Sequence, residues 1–447
     1  MMRKKVKVGF VSLGCSKNRL DTEIMLSHLV EAGYQITPDE TEADVVIVNT
    51  CAFINDAKKE AIDNILDVAW LKTNAKLKAI IVTGCLSERY REEIFEELPE
   101  VDALLGVGSI HNIVEAVEAV LDKKRQTKYS CFDDKDKLEL GGDRVVTTPE
   151  YTSYIKISEG CDNRCSYCAI PNIRGRFRSR KIEDIVEEAK TLEALGVKEL
   201  NIIAQDTTRY GSDIYGGYKL HELLREITKN TDIPWIRLLY CYPDKITDEL
   251  IEEIKTNDRI LKYIDLPIQH IDADVLKKMR RHGGPDIIKS AIKRLRENIP
   301  GIVIRTTVIV GFPGESEKAF SDLCSYVKET EFDHIGAFTY SREEGTPAYD
   351  FEDQIDEQTK QDRYDILMKE TLESAAKRTE SMISKEFTVL CEGYDGVSEA
   401  YFGRSYMDAP EIDGKIFFTS KRKLSEGEFV KVRITDSLDY DLVGEVC

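Results

Sequence analysis

The sequence contains no apolar run near the ~20 residues that a helix needs to cross a bilayer, and no low-complexity segment or long internal repeat. Its first residues, MMRKKVKVGFVSLGC, place basic residues before apolar ones, as a signal peptide does. That apolar stretch is short, Gly9 and Ser12 interrupt it, and no small-residue cleavage site follows. We therefore expect an opening β-strand, a cytoplasmic protein and no membrane partner.

The chain also lacks an excess of positive charge. Its 447 residues include 63 Lys and Arg against 82 Asp and Glu, which gives a net charge of −19. Proteins that bind nucleic acids draw affinity from clustered Lys and Arg, so this composition is a poor general match for a polyanion. A basic protein partner or a neutral small molecule fits better. The length predicts about three domains of roughly 150 residues.

The cysteines cannot all form intrachain disulfides, because there are eleven of them. In a chain without a secretion signal, clustered cysteines more often serve metal binding or catalysis. Those without a partner at a useful spacing are expected to be structural or incidental: Cys131, Cys241, Cys324, Cys391 and Cys447.

Residues 4–120 alternate strand and helix patterns, which predicts an N-terminal domain with a parallel sheet and crossover helices. The predicted strands are Val6–Leu13, Asp44–Asn49 and Leu77–Thr83. Each of them runs directly into a cysteine, and these are Cys15, Cys51 and Cys85. Because ligands of open parallel sheets bind outside the carboxyl ends of the strands, we expect the three cysteines to converge.

A polar stretch from Asp122 to Pro149 is expected to be a linker, to which the RVV at 144–146 could add a short strand. A second βα series fills residues 147–378. Its predicted strands are Tyr154–Ser158, Leu200–Ala204, Ile236–Tyr240, Tyr263–Pro267, Val303–Val310 and Ile335–Tyr340. Six units are fewer than the eight of a closed barrel, so we expect a partly open (β/α)6 barrel.

From residue 381 to residue 447, short strand patterns alternate with Gly, Asp and Pro turns. This spacing predicts a small antiparallel β-barrel of OB-like size. The expected fold class is therefore α/β, with a parallel α/β domain, a partly open barrel and a small C-terminal β-barrel.

The segment GCDNRCSYC at residues 160–168 places Cys161, Cys165 and Cys168 in a CxxxCxxC pattern, directly after the first barrel strand. Thiolates ligate iron–sulfur clusters and also zinc. A structural zinc site normally needs four protein ligands, whereas this segment supplies three and no nearby His. A zinc site completed from elsewhere and chance buried cysteines remain alternatives. Three thiolates on a cubane would leave one iron without a protein ligand.

This pattern resembles the signature of the radical S-adenosylmethionine superfamily, with Tyr167 in its aromatic position. The resemblance implies that the amino and carboxylate groups of S-adenosylmethionine bind the open iron of a [4Fe–4S] cluster. An electron from the cluster would then cleave the cofactor to a 5′-deoxyadenosyl radical, which can take hydrogen from an unactivated carbon. The stretch VIVGFPGE, Val308–Glu315, is similar to the segment that lines the cofactor in this superfamily, which makes Gly311 a candidate contact.

The N-terminal cysteine trio and the C-terminal β-barrel make the layout similar to that of the methylthiotransferases over nearly the whole chain. The resemblance implies that Cys15, Cys51 and Cys85 hold a second [4Fe–4S] cluster, whose open iron carries the sulfur to be inserted. One S-adenosylmethionine would supply the methyl group and another the radical. An electron donor and a sulfur donor are further implied partners.

Two branches of this family are the obvious contenders, one acting on tRNA adenosine (MiaB-like) and one on an aspartate of a ribosomal protein (RimO-like). The segments that resemble the second branch are Ser12–Glu23, Gly160–Arg180, Ala204–Gly211, Phe338–Ala348 and Gly403–Gly414. The resemblance implies methylthiolation at the β-carbon of an aspartate of ribosomal protein S12, either free or in the small subunit.

The charge of the C-terminal barrel favours the same branch. Residues 383–447 contain 8 Lys and Arg and 13 Asp and Glu, a net charge of −5. A barrel that grips tRNA should present basic residues, whereas an acidic one complements a basic ribosomal protein. We therefore expect this TRAM-like barrel to dock the substrate, and we expect Lys421, Arg422 and Lys423 to form a solvated turn.

Other candidate residues lie at the ends of predicted barrel strands, where catalytic groups gather. Gln205 and Asp206 end one strand and are expected to contact cofactor or substrate. Arg305 opens the VIVGFPGE strand, where it is placed to bind a carboxylate of the cofactor. His270 follows another strand and is more often a structural histidine than a ligand or base. No catalytic residue beyond the cluster ligands is assigned.

A run of cations follows the cysteine loop: Arg174, Arg176, Arg178, Arg180 and Lys181. We expect it to position S-adenosylmethionine or to balance the charge of the cluster, and plain solvated surface is the alternative. Two alternatives for the whole chain also stay open. One is the same chemistry on tRNA, and the other is a non-catalytic iron–sulfur protein that carries electrons or senses redox state.

Overall fold

The computed structural model describes residues 6–122, 124 and 127–447. Its first sheet has six parallel strands in the order β2-β1-β3-β4-β5-β6. The strands are β1 (Lys7–Ser12), β2 (Gln35–Thr37), β3 (Val45–Thr50), β4 (Ala79–Gly84), β5 (Ala103–Leu105) and β6 (Tyr129–Cys131). The helices are α1 (Ser16–Glu31), α2 (Asn55–Asn74), α3 (Cys85–Tyr90), α4 (Glu93–Glu97) and α5 (Ile113–Leu121). Every residue of β3 and β4 is buried, because crossover helices cover both faces of a parallel sheet.

The linker predicted between Asp122 and Pro149 is wrong in part. Tyr129–Cys131 forms β6 and pairs with β5 at the edge of the first sheet. The RVV at 144–146 forms no strand. Arg144 instead forms ion pairs with Glu23 and with Glu188, the latter at 2.8 Å between Nε and Oε1. Because Glu23 belongs to the first α/β unit and Glu188 to the second, the buried side chain of Arg144 connects this stretch to both.

The central sheet has six parallel strands in the order β14-β13-β12-β11-β10-β7, and it is open. Its strands are β7 (Thr152–Lys156), β10 (Glu199–Ile203), β11 (Trp235–Leu238), β12 (Ile260–Asp265), β13 (Val303–Val310) and β14 (His334–Thr339), and a separate hairpin joins β8 (Ser158–Glu159) to β9 (Arg178–Ser179). The helices are α6 (Ile170–Arg174), α7 (Ile182–Ala194), α8 (Leu220–Asn230), α9 (Asp248–Thr256), α10 (Ala273–Lys278), α11 (Gly284–Asn298), α12 (Glu317–Thr330) and α13 (Glu357–Glu380). The predicted partly open six-stranded barrel is confirmed.

The last strands close into a five-stranded barrel in the order β15-β16-β17-β19-β18. They are β15 (Glu386–Asp395), β16 (Ala400–Arg404), β17 (Ile416–Thr419), β18 (Phe429–Leu438) and β19 (Asp441–Val446). All pairs are antiparallel except β17 with β19, which closes the barrel in parallel. Buried Glu199 of β10 ties this barrel to the central sheet, since its carboxylate binds Arg404 at 2.5 Å and Arg237 at 2.9 Å.

Helix α1 packs against β7 and brings the first sheet onto the open end of the central barrel. The side of α1 that makes this contact is polar: Lys17, Asn18, Asp21, Thr22 and Glu23 are all buried. Within the described residues, no helix combines the length and the apolar character that a membrane span requires.

Candidate active site at the barrel mouth

The CxxxCxxC loop follows β8 at the carboxyl end of the barrel strands. Gly160 begins it with a φ of +76°, and a Cβ there would lie 2.0 Å from the carbonyl oxygen of Arg176, so only glycine fits. Cys161 and Cys165 are buried and Cys168 is half-buried. Burial raises the pKa of Cys161 to about 11. The Cys161 thiol would not ionise by itself near neutral pH, whereas a bound metal removes the proton outright.

Two sets of buried side chains hold this loop. Asn163 donates a hydrogen bond to Asp206 at 2.8 Å, and Lys245 lies 3.3 Å from the same carboxylate oxygen. Arg281 places its Nη1 4.0 Å from the sulfur of Cys165. Asp206, expected to touch cofactor or substrate, is therefore engaged in supporting the cysteine loop.

The ring of Tyr242 completes this support. Arg281 stacks on it with 4.1 Å between the guanidinium carbon and the ring centroid. The Tyr242 hydroxyl lies 3.9 Å from the sulfur of Cys165. A cation and a hydroxyl thus reach the same thiol from one side.

The other cysteine trio lies at the carboxyl ends of three neighbouring strands. Cys15 follows β1, Cys51 follows β3, and Cys85 begins α3 directly after β4. Gly14 has a φ of +84°, and a Cβ there would lie 2.7 Å from the Cβ of Cys51. Glycine therefore lets the Cys15 turn approach Cys51 closely. Burial raises the pKa of the Cys85 thiol to about 12, against the lowering effect of Arg174, and the other two thiols raise it as well.

Arg174 connects the helix that follows the second trio, Cys161, Cys165 and Cys168, with the first trio, Cys15, Cys51 and Cys85. It is the last residue of α6, which begins just beyond Cys168. Its Nη2 lies 3.6 Å from the sulfur of Cys85 and 3.1 Å from the side-chain oxygen of Asn18. Its Nη1 donates to Asp21 at 2.5 Å. A residue that follows the second trio in the sequence therefore contacts the first trio in space.

The charge of Arg174 is part of a buried network between the two sheets. Lys156 of β7 binds Asp21 of α1 at 2.8 Å and Glu159 of β8 at 2.6 Å. Gln205 donates to the other oxygen of Glu159 at 2.5 Å. Burial raises the pKa of Glu159, but Lys156 and Arg174 outweigh it and bring the value to about 2. Glu159 is therefore a fixed negative charge at neutral pH.

Several buried polar atoms at the ends of the barrel strands have no hydrogen-bond partner among the described residues. They are Ser158 Oγ, Gln205 Oε1, Gln269 Oε1, His270 Nε2 and Tyr340 Oη. Buried polar atoms are normally paired, so this cluster fits a polar ligand.

The backbone around these atoms also points to a functional site. Tyr240 after β11 and Gln269 after β12 have φ values of +62° and +69°. Bulky residues rarely adopt the left-handed region, and strain of this kind clusters at active sites.

Three of the residues predicted to contact the cofactor, Tyr167, Gly311 and Gln205, lie close to the cysteine loop or to the ends of the barrel strands. Tyr167 packs edge to face on Phe312, with 6.5 Å between centroids, which brings the cysteine loop to the VIVGFPGE segment. Gly311 has a φ of +72°, and Lys360 fills the space that a Cβ would need. Gln205 Oε1 is one of the buried polar atoms without a partner among the described residues.

Arg305 differs from these three. It binds Asp265 at 3.4 Å and Asp413 at 3.2 Å, and so links the barrel to the C-terminal unit. Its role as a cofactor contact stays a prediction, as do those of Tyr167, Gly311 and Gln205.

The predicted run of cations divides into separate roles. Arg176 is exposed and pairs with Asp162, Arg178 binds backbone carbonyls, and Arg180 binds Glu188 at 2.6 Å. Of these three and Arg174, only Arg174 has a bond to a cysteine sulfur among the described residues.

His270 is fully buried, and its Nδ1 accepts a hydrogen bond from the Asp272 amide at 3.0 Å. Burial lowers the pKa of His270 to about 4. The imidazole is therefore neutral at physiological pH, with its proton on Nε2.

Within the described residues, no group of three His, Cys, Asp or Glu side chains converges tightly enough to hold a single metal ion. A four-iron cubane is larger than one ion, and its thiolate ligands stand further apart around it. The chemistry of the donors, three thiols per trio, is that of iron–sulfur clusters. Each trio therefore offers donors of the kind that an iron–sulfur cluster uses.

Comparison with protein-family models divides the chain into three matches. Residues 7–106 match an uncharacterised protein family, UPF0004, residues 155–327 match the radical SAM superfamily, and residues 383–447 match the TRAM domain. Relatives that bear the name ribosomal protein uS12 methylthiotransferase RimO match over nearly the full length. That of Thermoanaerobacter sp. (strain X514) is 51% identical over 98% of this chain and 99% of its own. That of Geobacter sulfurreducens is 48% identical over 100% of both chains.

Solved structures support the fold. The radical S-adenosylmethionine methyltransferase TsrM from Kitasatospora setae, solved with cobalamin and a [4Fe–4S] cluster, has a TM-score of 0.58 at 16% identity and covers 78% of this chain and 77% of its own. The cobalamin-dependent S-adenosylmethionine radical enzyme OxsB has a TM-score of 0.50 at 11% identity, over 82% of this chain and 56% of its own. With the full-length relatives, these findings confirm the resemblance, and the chain belongs to the radical S-adenosylmethionine methylthiotransferases of the RimO family.

Proposed function

We propose that this enzyme inserts a methylthio group at the β-carbon of an aspartate of ribosomal protein uS12, using two [4Fe–4S] clusters and S-adenosylmethionine. The observation that carries the proposal is Arg174, which follows one cysteine trio in the chain and contacts the other in space. A reaction that removes hydrogen at one trio and delivers sulfur from the other needs this adjacency. The names of the full-length relatives support uS12 as the substrate.

We assign Cys15, Cys51 and Cys85 to the cluster that carries sulfur, and Cys161, Cys165 and Cys168 to the cluster that binds S-adenosylmethionine. When bound, these groups supply hydrogen abstraction from an unactivated carbon and a transferable sulfur. The chain itself fixes the geometry around them.

Arg281 and the Tyr242 hydroxyl approach the sulfur of Cys165, and Arg174 approaches that of Cys85. Hydrogen bonds from protein to ligand sulfurs tune the potentials of such clusters. Each trio thus has its own buried cation.

The orphaned polar atoms at the strand ends are the proposed binding site of S-adenosylmethionine. Gln205 is fixed by its bond to Glu159, which leaves its oxygen as an acceptor for the cofactor. Tyr167 and Gly311 are proposed to line the same site, beside the cysteine loop. Arg305 is retained as a candidate for the carboxylate end, through the donors that its two ion pairs leave free.

The C-terminal barrel is proposed to dock uS12. Its net charge of −5 complements a basic ribosomal protein, and complementary charge mainly favours the on-rate and specificity. The proposed units are residues 4–120 for the sulfur-carrying cluster, 147–378 for the radical chemistry and 381–447 for docking. The reaction consumes electrons and sulfur, so a cytoplasmic electron donor and sulfur donor belong to the proposal.

The test uses anaerobically reconstituted enzyme with excess S-adenosylmethionine, a reductant and sulfide. Separate incubations with uS12 and with unmodified tRNA are analysed by mass spectrometry for the gain of one methylthio group. We expect the gain on uS12 alone. With uS12 deuterated at the aspartate β-carbon, we expect deuterium in the released 5′-deoxyadenosine. Modification of tRNA alone, or no transfer of deuterium, would contradict the proposal.

The same preparation separates an enzyme from a non-catalytic iron–sulfur protein. Reduced enzyme should cleave S-adenosylmethionine to 5′-deoxyadenosine, whereas an electron carrier would yield none. A matched sample without reductant is the control.

A further inference from the structure

Lys17 is a buried cation with no carboxylate partner in the chain. It lies in the first turn of α1, two residues after Cys15, and is only 7% exposed. Within the described part of the chain, no carboxylate oxygen comes within ion-pair distance of its ammonium. The ammonium lies against the ring of Tyr240, whose centroid is 2.9 Å from Nζ. Lysines are almost never buried without a partner, and an uncompensated buried charge is strongly destabilising.

The surroundings of Lys17 place it at the barrel mouth, beside the first trio. Tyr240 follows β11 in left-handed conformation, and its amide donates to Asp265 at 2.9 Å. The Cys15 thiol and then Asp265 are the groups whose negative charge acts most on Lys17, and Arg305 already binds Asp265 at 3.4 Å. Lys17 therefore reaches from the first sheet into the mouth of the barrel, where an anionic ligand can pair with it.

The chemistry of the proposed reaction supplies such an anion at this position. In an aspartate, the carboxylate carbon is bonded directly to the β-carbon. A cation that binds the carboxylate must therefore lie beside the point where hydrogen leaves and sulfur arrives. That point lies between the two trios, and Lys17 is on the segment that carries Cys15.

We propose that Lys17 binds the side-chain carboxylate of the target aspartate of uS12 and selects it against asparagine. This inference rests on the proposed function, because it names the group of the substrate that the site recognises. The ring of Tyr240 backs the ammonium and holds it toward the site. Asparagine has the same shape but no charge, so it would leave the buried ammonium without its counter-ion.

The test is a double-mutant cycle on binding, which needs no turnover. Reconstituted wild-type and Lys17→Met enzymes are titrated anaerobically with labelled uS12 that carries either the aspartate or asparagine at the modified position. A charge-assisted hydrogen bond predicts that asparagine weakens binding to wild type by roughly 10- to 100-fold. The same change should alter binding to Lys17→Met by less than about twofold, because the interaction is already lost.

Two variants serve as controls. Lys17→Arg keeps the positive charge and should retain discrimination between the two forms of uS12. Lys59→Met removes the same charge from an exposed position of α2 and should bind both forms as wild type does. If Lys17→Met does not fold, Lys17→Gln replaces it in the cycle.

Four results would overturn the inference. In the first, Lys17→Met still distinguishes the aspartate form of uS12 from the asparagine form but loses iron or shows an altered cluster spectrum. Lys17 would then be a counter-ion of the cluster. Another is undiminished discrimination with weakened binding of S-adenosylmethionine, which would assign Lys17 to the cofactor. The third is wild-type enzyme that neither binds nor modifies uS12, in which case the proposed function fails as well. Wild-type modification with unchanged discrimination in Lys17→Met would refute the inference alone.

Discussion

Replacing Arg174 by methionine tests the contact between the two sheets. Its guanidinium bonds to Asp21 at 2.5 Å and lies 3.4 Å from Glu159, and all three side chains are almost completely buried. In Arg174→Met, Lys156 alone would balance both carboxylates. Removal of one partner from a buried ion pair typically costs about 3–5 kcal/mol. Because the network joins α1 to the barrel, we expect this cost to appear as easier separation of the two sheets.

Native-state hydrogen exchange measures this separation directly. At about 1.4 kcal/mol per factor of ten, the loss corresponds to roughly a hundredfold to a few thousandfold faster exchange of amides in α1 and α6. The matched control is Arg433→Met, because that arginine forms an exposed pair with Glu386 worth about 0–1 kcal/mol.

A second substitution should reverse the effect. Arg174→Met combined with Asp21→Asn removes the surplus negative charge and should recover much of the protection. Less than a tenfold change in Arg174→Met, or an equal change in Arg433→Met, would refute the reasoning.

The remaining predictions concern the clusters, the cofactor site and the buried histidine. Cys165→Ala should abolish cleavage of S-adenosylmethionine yet keep iron at the first trio, whereas Cys51→Ala should spare cleavage and block sulfur insertion. Iron analysis and 5′-deoxyadenosine assays check both variants. Loss of all iron in either variant would contradict separate sites. Gln205→Leu should weaken binding of S-adenosylmethionine about tenfold by calorimetry, because an acceptor is lost; unchanged affinity would exclude the contact. Since the pKa of His270 falls to about 4 on folding, its contribution to stability is present above about pH 6.5 and is lost as pH falls toward 4. Urea unfolding should therefore show a smaller loss between pH 7 and pH 5 in His270→Asn than in wild type, while exposed His282→Asn should behave as wild type.

Much of the fold was predictable because its main strands are long and apolar. The three N-terminal strands and the six barrel strands predicted from the sequence all exist, with bounds within a few residues of the observed ones. Gln35–Thr37, Ala103–Leu105 and Tyr129–Cys131 are three residues each, too short for a periodicity of two to be recognised. The last of these sits in a polar stretch, where only pairing with β5 makes it a strand.

The candidate site was predictable where the chemistry is local in the sequence. CxxxCxxC is such a case, because three ligands on one loop need no knowledge of the rest of the fold. The contacts of the cations that follow this loop could not be predicted in the same way. In the sequence, Arg174 lies near the second trio. In the structure, its Nη2 lies 3.6 Å from the sulfur of Cys85, which belongs to the first trio. No spacing predicts that contact, since it depends on how two sheets dock.

The contact between α1 and the barrel could not be predicted from the sequence, because the residues of α1 that make it are polar. Lys17, Asn18 and Asp21 lie on one side of the helix at spacings that place them together, and all are buried. Pattern analysis assigns such a polar stripe to solvent, because burial is normally inferred from apolar residues. Here the stripe meets Lys156 and Arg174, so buried ion pairs join the two sheets beside the apolar contacts of Leu20. In this arrangement Asp21 is fully compensated and Lys17 is not, and that asymmetry makes the lysine, rather than its neighbours, the residue of α1 that is free to bind a substrate carboxylate.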